Sequence, residues 1–372
     1  MHQPAIGILL DNRTFTGILQ GKTHHEAIPL YEEAAQRLGV AICYFRLRDI
    51  SCKTMKVQAL TLDPSTSSYV RITTRLPWII HNRTMTFRRT AKRKLARLHR
   101  QGIFIYNRHT RYGKRFIHKL LLKDMELGPH LPETYRATIG TVRNMMKRYH
   151  SLILKPDNGS IGRGIMLLEK RQGRWLLKVR NRRNKGQWRR IPVRSTLPRA
   201  LRKLMARRRY LVQQRLPLAT YMGRPFDLRV SVQRNGRGQW QVTGIVGKAA
   251  PAGLFLTNVA QGGTVYTLDH LLAAHRAWNP HAVRMRIEEL SLRIAHHLGH
   301  YLPNLADLGL DIGLTSEGIP MFIECNCRDL RYSFLQGRQW KEWQDVYYQP
   351  LSYGHYVHMQ RQACSPPKLI DG

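Results

Sequence analysis

Apolar and polar positions along the chain alternate between two periods. Residues 6–10 and 40–45 are short apolar runs that predict strands, while 27–38 repeats its apolar residues at helical spacing. This β-α-β opening predicts a small parallel sheet. Residues 70–72 and 78–81 predict further strands on either side of Leu76-Pro77, 87–100 a basic helix and 104–106 a short strand. A helix is expected from Lys114 to about Met125 and another over 138–149, where Val142, Met145, Met146 and Tyr149 share one face. Four short strands follow at 152–155, 165–169, 175–179 and 187–193, then a helix over 197–208 and a strand at 210–216. Strands are also expected around Asp227 and Arg229, over 239–248 after the turn Asn235-Gly-Arg-Gly238, and twice within 309–326 around Ser316-Glu317-Gly318. A helix over 287–298 places Ile287, Leu290, Ile294 and Leu298 together. Residues 347–372, with Ser365-Pro-Pro367, read as a poorly ordered appendage. The mixture defines an α/β (α+β) chain, and 372 residues exceed what one core supports, so two or three subdomains are expected.

Two of these stretches carry candidate chemistry. In Leu152-Ile-Leu-Lys-Pro-Asp-Asn-Gly-Ser-Ile-Gly-Arg-Gly-Ile165 a strand ends at Lys155-Pro156, and Gly159, Gly162 and Gly164 follow. Glycines allow positive φ and close backbone approach, and free N–H groups beside a lysine suit phosphates. The spacing matches neither the Walker nor the dinucleotide pattern, and a glycine-rich hairpin with no ligand has the same form. The second stretch places Asp311 on one strand and Glu324 and Asn326 two apart on the next, sharing a face. Two carboxylates and an amide are the hard oxygen donors magnesium prefers. A solvent-facing polar edge is the alternative, although the residues between the acids are strongly apolar.

A glycine loop followed by a late Asp…Glu-x-Asn cluster is the arrangement of ATP-grasp enzymes. Leu154-Lys-Pro-Asp-Asn-Gly-Ser-Ile-Gly-Arg-Gly-Ile165, Pro225-Phe-Asp-Leu-Arg-Val230, Thr257-Asn-Val-Ala-Gln-Gly-Gly263 and Ile323-Glu-Cys-Asn326 together resemble the YheC/YheD family, ATP-grasp proteins associated with the endospore coat. The resemblance runs in order from about Tyr106 to Tyr332. It implies a pre-ATP-grasp domain over 1–112, a helical connection over 113–150, a lid over 151–214, a C-terminal subdomain with the metal site over 215–350 and a tail over 351–372. It also implies ATP contacts from Lys114, Lys155, Asn158, Gly159, Ser160, Gly162 and Gly164, with Gln213 and Gln214 at the adenine hinge where the superfamily more often has glutamates. Asp311, Glu324 and Asn326 would hold Mg2+. Arg229, Lys248 (where the family pattern has arginine) and Arg331 would meet transition-state charge, and Asn258, Gly262 and Gly263 would close over the reacting phosphate. The turn before Arg331 lacks the family's proline.

Charge changes the picture more than composition does. The formal charge of +39 calls for polyanions such as nucleic acid, anionic lipid, cell-wall polymer or acidic peptide. From Lys170 through Arg209 there are 17 Lys and Arg and no acids, more than ATP alone requires. Interleaved Trp175 and Trp188 suit base stacking, but tryptophans in alternating strands more often pack a hairpin. Residues 87–100 read as a solvated basic face or a docking surface for an anionic polymer. Five cysteines, an odd number, favour a reducing compartment. Cys325 and Cys327 are expected on the buried face opposite Glu324 and Asn326, and His296, His297 and His300 as an exposed group rather than a metal site. No apolar run is long enough to span a membrane, and the start of the chain reads as a strand rather than a signal peptide. The resemblance adds an expectation of mother-cell cytoplasm and the spore coat.

The reading that unites these features is an ATP- and Mg-dependent ligase that activates an unidentified carboxylate as an acyl-phosphate for attack by an amine. A non-catalytic, polyanion-binding coat protein on the same scaffold is the alternative, and nucleic-acid binding a third.

Overall fold

Strand β1 (Ile6–Leu9) is apolar and buried at every position, as expected of a strand covered on both faces of a parallel sheet. The computed structural model describes residues 5–85, 88–159, 162–180, 188–194, 196–259, 262–302 and 304–363. Helix α1 (Asn12–Ile18) is capped by Asp11, and α2 (Ile28–Leu38) ends on Gly39 at φ 64°. They return the chain to β2 (Ile42–Phe45), which lies parallel to β1. Strands β3 (Ile50–Ser51), β4 (Lys56–Asp63) and β5 (Ser68–Arg75) extend that edge antiparallel, while β6 (Ile79–Asn82), helix α3 (Arg89–Arg100) and β7 (Phe104–Tyr106) complete the parallel half. The order is β3-β4-β2-β1-β6-β7, with β5 paired to β4.

Helix α4 (Lys114–Leu121) is shorter than its sequence suggests and leads to the second sheet. There β8 (Thr134–Arg136), helix α5 (Ile139–Arg148), β9 (Ser151–Pro156), β10 (Met166–Arg171), β11 (Arg174–Arg180), β12 (Trp188–Val193), helix α6 (Arg199–Arg207) and β13 (Tyr210–Gln214) give the order β12-β11-β10-β9-β13-β8. Its core joins Val142 and Met145 of α5 and Leu201 of α6 to Leu152, Leu154, Leu168 and Val212. The second sheet and its core therefore also take in β8 and α5, upstream of residue 151, because β8 pairs with β13 and α5 packs against the same core.

The third sheet contains β14 (Thr220–Tyr221), β15 (Arg224–Arg234), β16 (Trp240–Ala249), β17 (Thr264–Thr267), β18 (Asp307–Leu314) and β19 (Pro320–Asn326), ordered β17-β16-β15-β18-β19 with β14 paired to β15. It is covered by α7 (Leu268–Ala273) and by α8 (Pro280–Tyr301), which buries Ile287, Leu290, Ile294 and Leu298. The short α9 (Tyr332–Gln336) precedes α10 (Trp340–Ala363).

Helix α10 corrects the expected tail. Tyr347 and Leu351 are fully buried and share a core with Ile6, Ile8, Tyr31 and Tyr106. The helix lies against α2, β6 and β1 on one side and β15 and β16 on the other, so it shows no single apolar stripe. Its internal Pro350 accepts a hydrogen bond from the Tyr106 hydroxyl at 2.8 Å. Ser365-Pro-Pro367 lies outside the described residues.

Beside this shared core, a buried ion network joins the first and third bodies. Arg83 reaches Glu26 at 2.8 Å and Asp307 at 2.9 Å, and Arg331 reaches the same Asp307 at 2.7 Å. Such charges are stable in an interior only when each is paired. Asn107 closes the seam by donating to the carbonyls of Asp307 and Cys327.

Candidate functional site

Register places the polar residues of the third sheet in a row. Arg229 of β15 lies opposite Asp311 of β18, and Asp311 lies opposite Glu324 of β19. Asp227 pairs with Lys248 of β16 two residues along. A bulge follows the Asp311–Glu324 pair, and Ile323 and Glu324 both face the cleft beneath the lid. Bulges commonly redirect side chains in this way.

Cations already neutralise these acids. Arg229 contacts Asp311 at 3.0 and 3.3 Å and Asp329 at 3.0 Å. Lys248 lies 2.8 Å from Asp311 and 3.0 Å from Asp227. Lys114, at the start of α4, meets Glu324 at 2.5 Å and the Gly159 carbonyl at 3.3 Å. Burial raises the Asp311 carboxyl, but Arg229 and Lys248 outweigh it and hold it well below the usual carboxylate range. Burial raises Asp227 and Asp329 despite their cationic neighbours. Lys155 ends β9 almost wholly buried. Burial and the neighbouring Lys114 pull its ammonium down to about 8.

Two cavities meet here. The first, about 610 Å³, lies between the lid and the third sheet and is lined by Ile153, Lys155, Ile165, Gln213, Gln214, Leu216, Leu218, Asp227, Phe255, Thr257 and Glu324. The second, about 400 Å³, opens toward the first body and is lined by Arg13, His24, His25, Thr110, Arg111, Lys114, Gly159, Gly162, Arg229, Asn258, Asp311, Glu324, Asn326, Arg328 and Tyr332. A small cavity with Lys114, Lys155 and Glu324 in its wall lies beside them.

The glycine hairpin closes the joint from above. Gly162 and Gly164 adopt φ of 63° and 78°, values that glycine reaches without strain. A Cβ on Gly164 would lie 2.9 Å from the Tyr210 hydroxyl and 3.1 Å from Pro156. The hairpin is moored to α4: Lys114 N–H donates to the Asp157 carbonyl, Arg115 N–H to its carboxylate, and Arg111 to the Asn158 carbonyl.

The structure thus brings Lys114, Lys155, Gly159, Gly162, Gln213, Gln214, Arg229, Asn258, Asp311, Glu324 and Asn326 to the two cavities. Asn158 is exposed, Lys248 lies behind Asp227 and Asp311, and Gly164, Gly262 and Gly263 shape loops without lining a cavity. Ser160 lies outside the described residues. Arg331 lies elsewhere: it is fully buried, donates to Tyr31 and Asp307, and sits 4.5 Å over the Tyr347 ring, so its charge is consumed at the seam. Cys325 and Cys327 contact the apolar core as expected, yet they also border the second cavity because the strand ends there. No cluster of three His, Cys, Asp or Glu able to hold a metal occurs among the described residues, the three histidines of α8 included. No periodicity or motif singled out Asp329, which orients Arg229 and accepts a hydrogen bond from Ser231, or Arg13 and Arg328 in the second cavity.

Asp311, Glu324 and Asn326 fit magnesium chemically. They are hard oxygen donors on adjacent strands, with Asp311 held ionised. The three sheets, the glycine hairpin and the paired acids define the ATP-grasp fold. A YheC/D-like ATP-grasp model matches residues 102–357, and the chain belongs to that family. It is 27% identical over 229 residues to the endospore coat-associated protein YheD of Bacillus subtilis (strain 168), a match covering 60% of this chain and half the length of YheD. Against endospore coat-associated protein YheC of the same organism it is 23% identical over 331 residues, covering 86% of this chain and 90% of YheC. Among solved structures it resembles the ATP-grasp ligase PsnB complexed with a minimal precursor variant, Mg and ADP (TM-score 0.54, 13% identity, 96% of this chain and 99% of that one). It also resembles the D-cycloserine synthetase DcsG (TM-score 0.51, 11% identity, 95% and 99%). At these identities the two structures speak to the fold alone.

Proposed function

We propose that the chain is an ATP- and magnesium-dependent ligase that activates a carboxylate acceptor and is associated with the spore coat. The observation that carries this reading is the position of Glu324, which borders both cavities while paired with Lys114. The first cavity offers Ile153, Ile165, Leu216, Leu218 and Phe255 to an adenine, with the backbone after β13 at its edge. From there the triphosphate extends toward Lys155, Lys114 and the glycine hairpin, whose N–H groups donate to its phosphate oxygens. Asp311, Glu324 and Asn326 would hold magnesium, which would supply charge neutralisation to the triphosphate. Arg229, fixed by Asp311 and Asp329, presents its guanidinium to the γ-phosphoryl group, and Lys248 supports the Asp227–Asp311 pair from behind. An acceptor carboxylate in the second cavity attacks the γ-phosphorus as ADP leaves. An amine then displaces phosphate from the acyl-phosphate.

The names of YheC and YheD support coat association. The cation-paired acids favour a second reading, a non-catalytic scaffold whose site neutralises itself. One experiment separates the two. Mg-ATP at a hundredfold excess over its Kd stabilises a binding-competent chain by about 2.7 kcal/mol, raising its Tm. Wild type should show that rise and release ADP with carboxylate and amine mixtures, and Glu324→Gln should lose ADP release by at least about a hundredfold. Absence of the Tm rise would leave the scaffold reading, and full turnover by Glu324→Gln would remove Glu324 from the mechanism.

A further inference from the structure

We propose that α3 is a docking strip for an acidic peptide whose reacting carboxyl enters the second cavity. This rests on the ligase reading above. From residue 64 to residue 123 the chain contains no Asp or Glu. Helix α3 buries Leu95 and Leu98 and exposes Arg88, Arg89, Lys92, Arg93, Arg97 and Arg100. Positions 89, 93, 97 and 100 follow one another at helical i+4 and i+3 spacing and form one stripe, with Lys92 beside it and Arg88 at the N-cap. No carboxylate among the described residues forms an ion pair with any of them. Like charges at this spacing weaken a helix, and a bound polyanion removes that penalty.

Placement ties the strip to the cavity. Met85 lines the second cavity, and Arg88 follows three residues later, a separation of at most about 11 Å. Burial and Arg108 lower His109, with Lys92, one turn further along, adding to them, and the adjoining Thr110 and Arg111 line the same cavity. The strip is about 18 Å long, the span of about five residues of extended peptide.

The chemistry of the anion follows from what the site consumes. Phosphodiester polymers present negative charge but bring no carboxyl to activate, whereas a run of Glu or Asp supplies both the charge and the reacting group. Helix α3 also carries no Phe, Tyr or Trp, the side chains that form the stacking platforms of single-stranded nucleic-acid sites.

The test uses the full chain and a fluorescent octaglutamate peptide, with N-acetylglutamate and an eight-nucleotide oligothymidylate as comparators. Octaglutamate should bind more tightly than N-acetylglutamate and weaken as salt is raised. In the variant combining Arg89→Gln, Arg93→Gln and Arg97→Gln its Kd should rise by about tenfold, as three exposed charge pairs are lost, while the Mg-ATP shift in Tm persists. A companion with lysine at the same three positions should retain most of the affinity and controls for folding of the helix. Equal octaglutamate affinity in wild type and the Gln variant would overturn the strip. Tighter binding of the oligothymidylate at equal salt would overturn the peptide assignment. A wild-type chain with no Mg-ATP shift would instead remove the ligase reading beneath it.

Discussion

Lys155 sits where a buried ammonium is costly and a phosphate would relieve the cost. Its lowered value, about 8, reflects burial first and Lys114 second. A bound triphosphate prefers the protonated form, so binding takes up a proton above that pH. ATP affinity should be flat below about pH 8 and then fall by up to about tenfold per unit. A pH series of ATP titrations checks this, and Lys155→Arg, charged throughout, should flatten it. Gly309 holds Arg229 in place by being small: a Cβ there would lie 2.3 Å from the Asp329 carboxylate and 3.1 Å from the Arg229 guanidinium. Gly309→Ala should therefore reduce ADP release far more than it reduces Tm, because the displaced pair aims Arg229. Equal ADP release in the variant would show that this orientation is dispensable. At this scale the sequence was most informative where strand alternation applied, as for Asp227, Arg229, Asp311 and Glu324. Arg331 was misplaced because it follows the end of β19, where alternation no longer says which way a side chain points. The partners of Arg83, Glu26 and Asp307 stand 57 and 224 residues apart, with no local pattern to join them.

Among elements, the glycine hairpin carries the sharpest expectation. Gly164 combines positive φ with close approach to Tyr210 and Pro156, so alanine there costs about 1–2 kcal/mol of left-handed backbone strain. That strain falls on the lid edge, and Gly164→Ala should weaken ATP binding, measured by titration, while far-UV circular dichroism stays unchanged. The lid strands were legible because each is short, apolar and bounded by turn residues. The membership of β8 in their sheet was not, since β8 is three residues long and joins it only through β13. Helix α10 was hidden for the opposite reason. Covered on two sides and containing Pro350, it has neither an amphipathic stripe nor an uninterrupted helical sequence.

Across the whole molecule, charge and seam set the behaviour. The second sheet with its helices, residues 134–214, holds 23 Lys and Arg against 2 Asp and Glu, more than half of the net +39. Its closure over an anion should therefore be sensitive to salt. The seam responds to acid. His81 is fully buried and stacked on Tyr106 at 4.6 Å, and burial lowers it to about 4. Burial raises Glu26, but Arg83 and Arg328 outweigh it and bring it to about 2. Unfolded His81 takes a proton near 6.5 and the folded form only near 4, so the unfolded chain binds more protons between these values. Stability is greatest above pH 6.5 and declines toward pH 4, on the order of 3 kcal/mol for His81 alone. Denaturant midpoints across that window should fall in wild type and fall less in His81→Phe, which keeps the ring stack. An equal fall in both would place the acid sensitivity elsewhere.

Helix α10 also dictates when the protein can finish folding. Ile6, Ile8 and Tyr31 of the first body share their core with Val346, Tyr347 and Leu351. During synthesis those early strands must wait, incompletely covered, until residues more than 300 positions later have left the ribosome. Such distant pairing slows maturation and leaves a sticky nascent surface, which makes the half-made chain a natural client for chaperones.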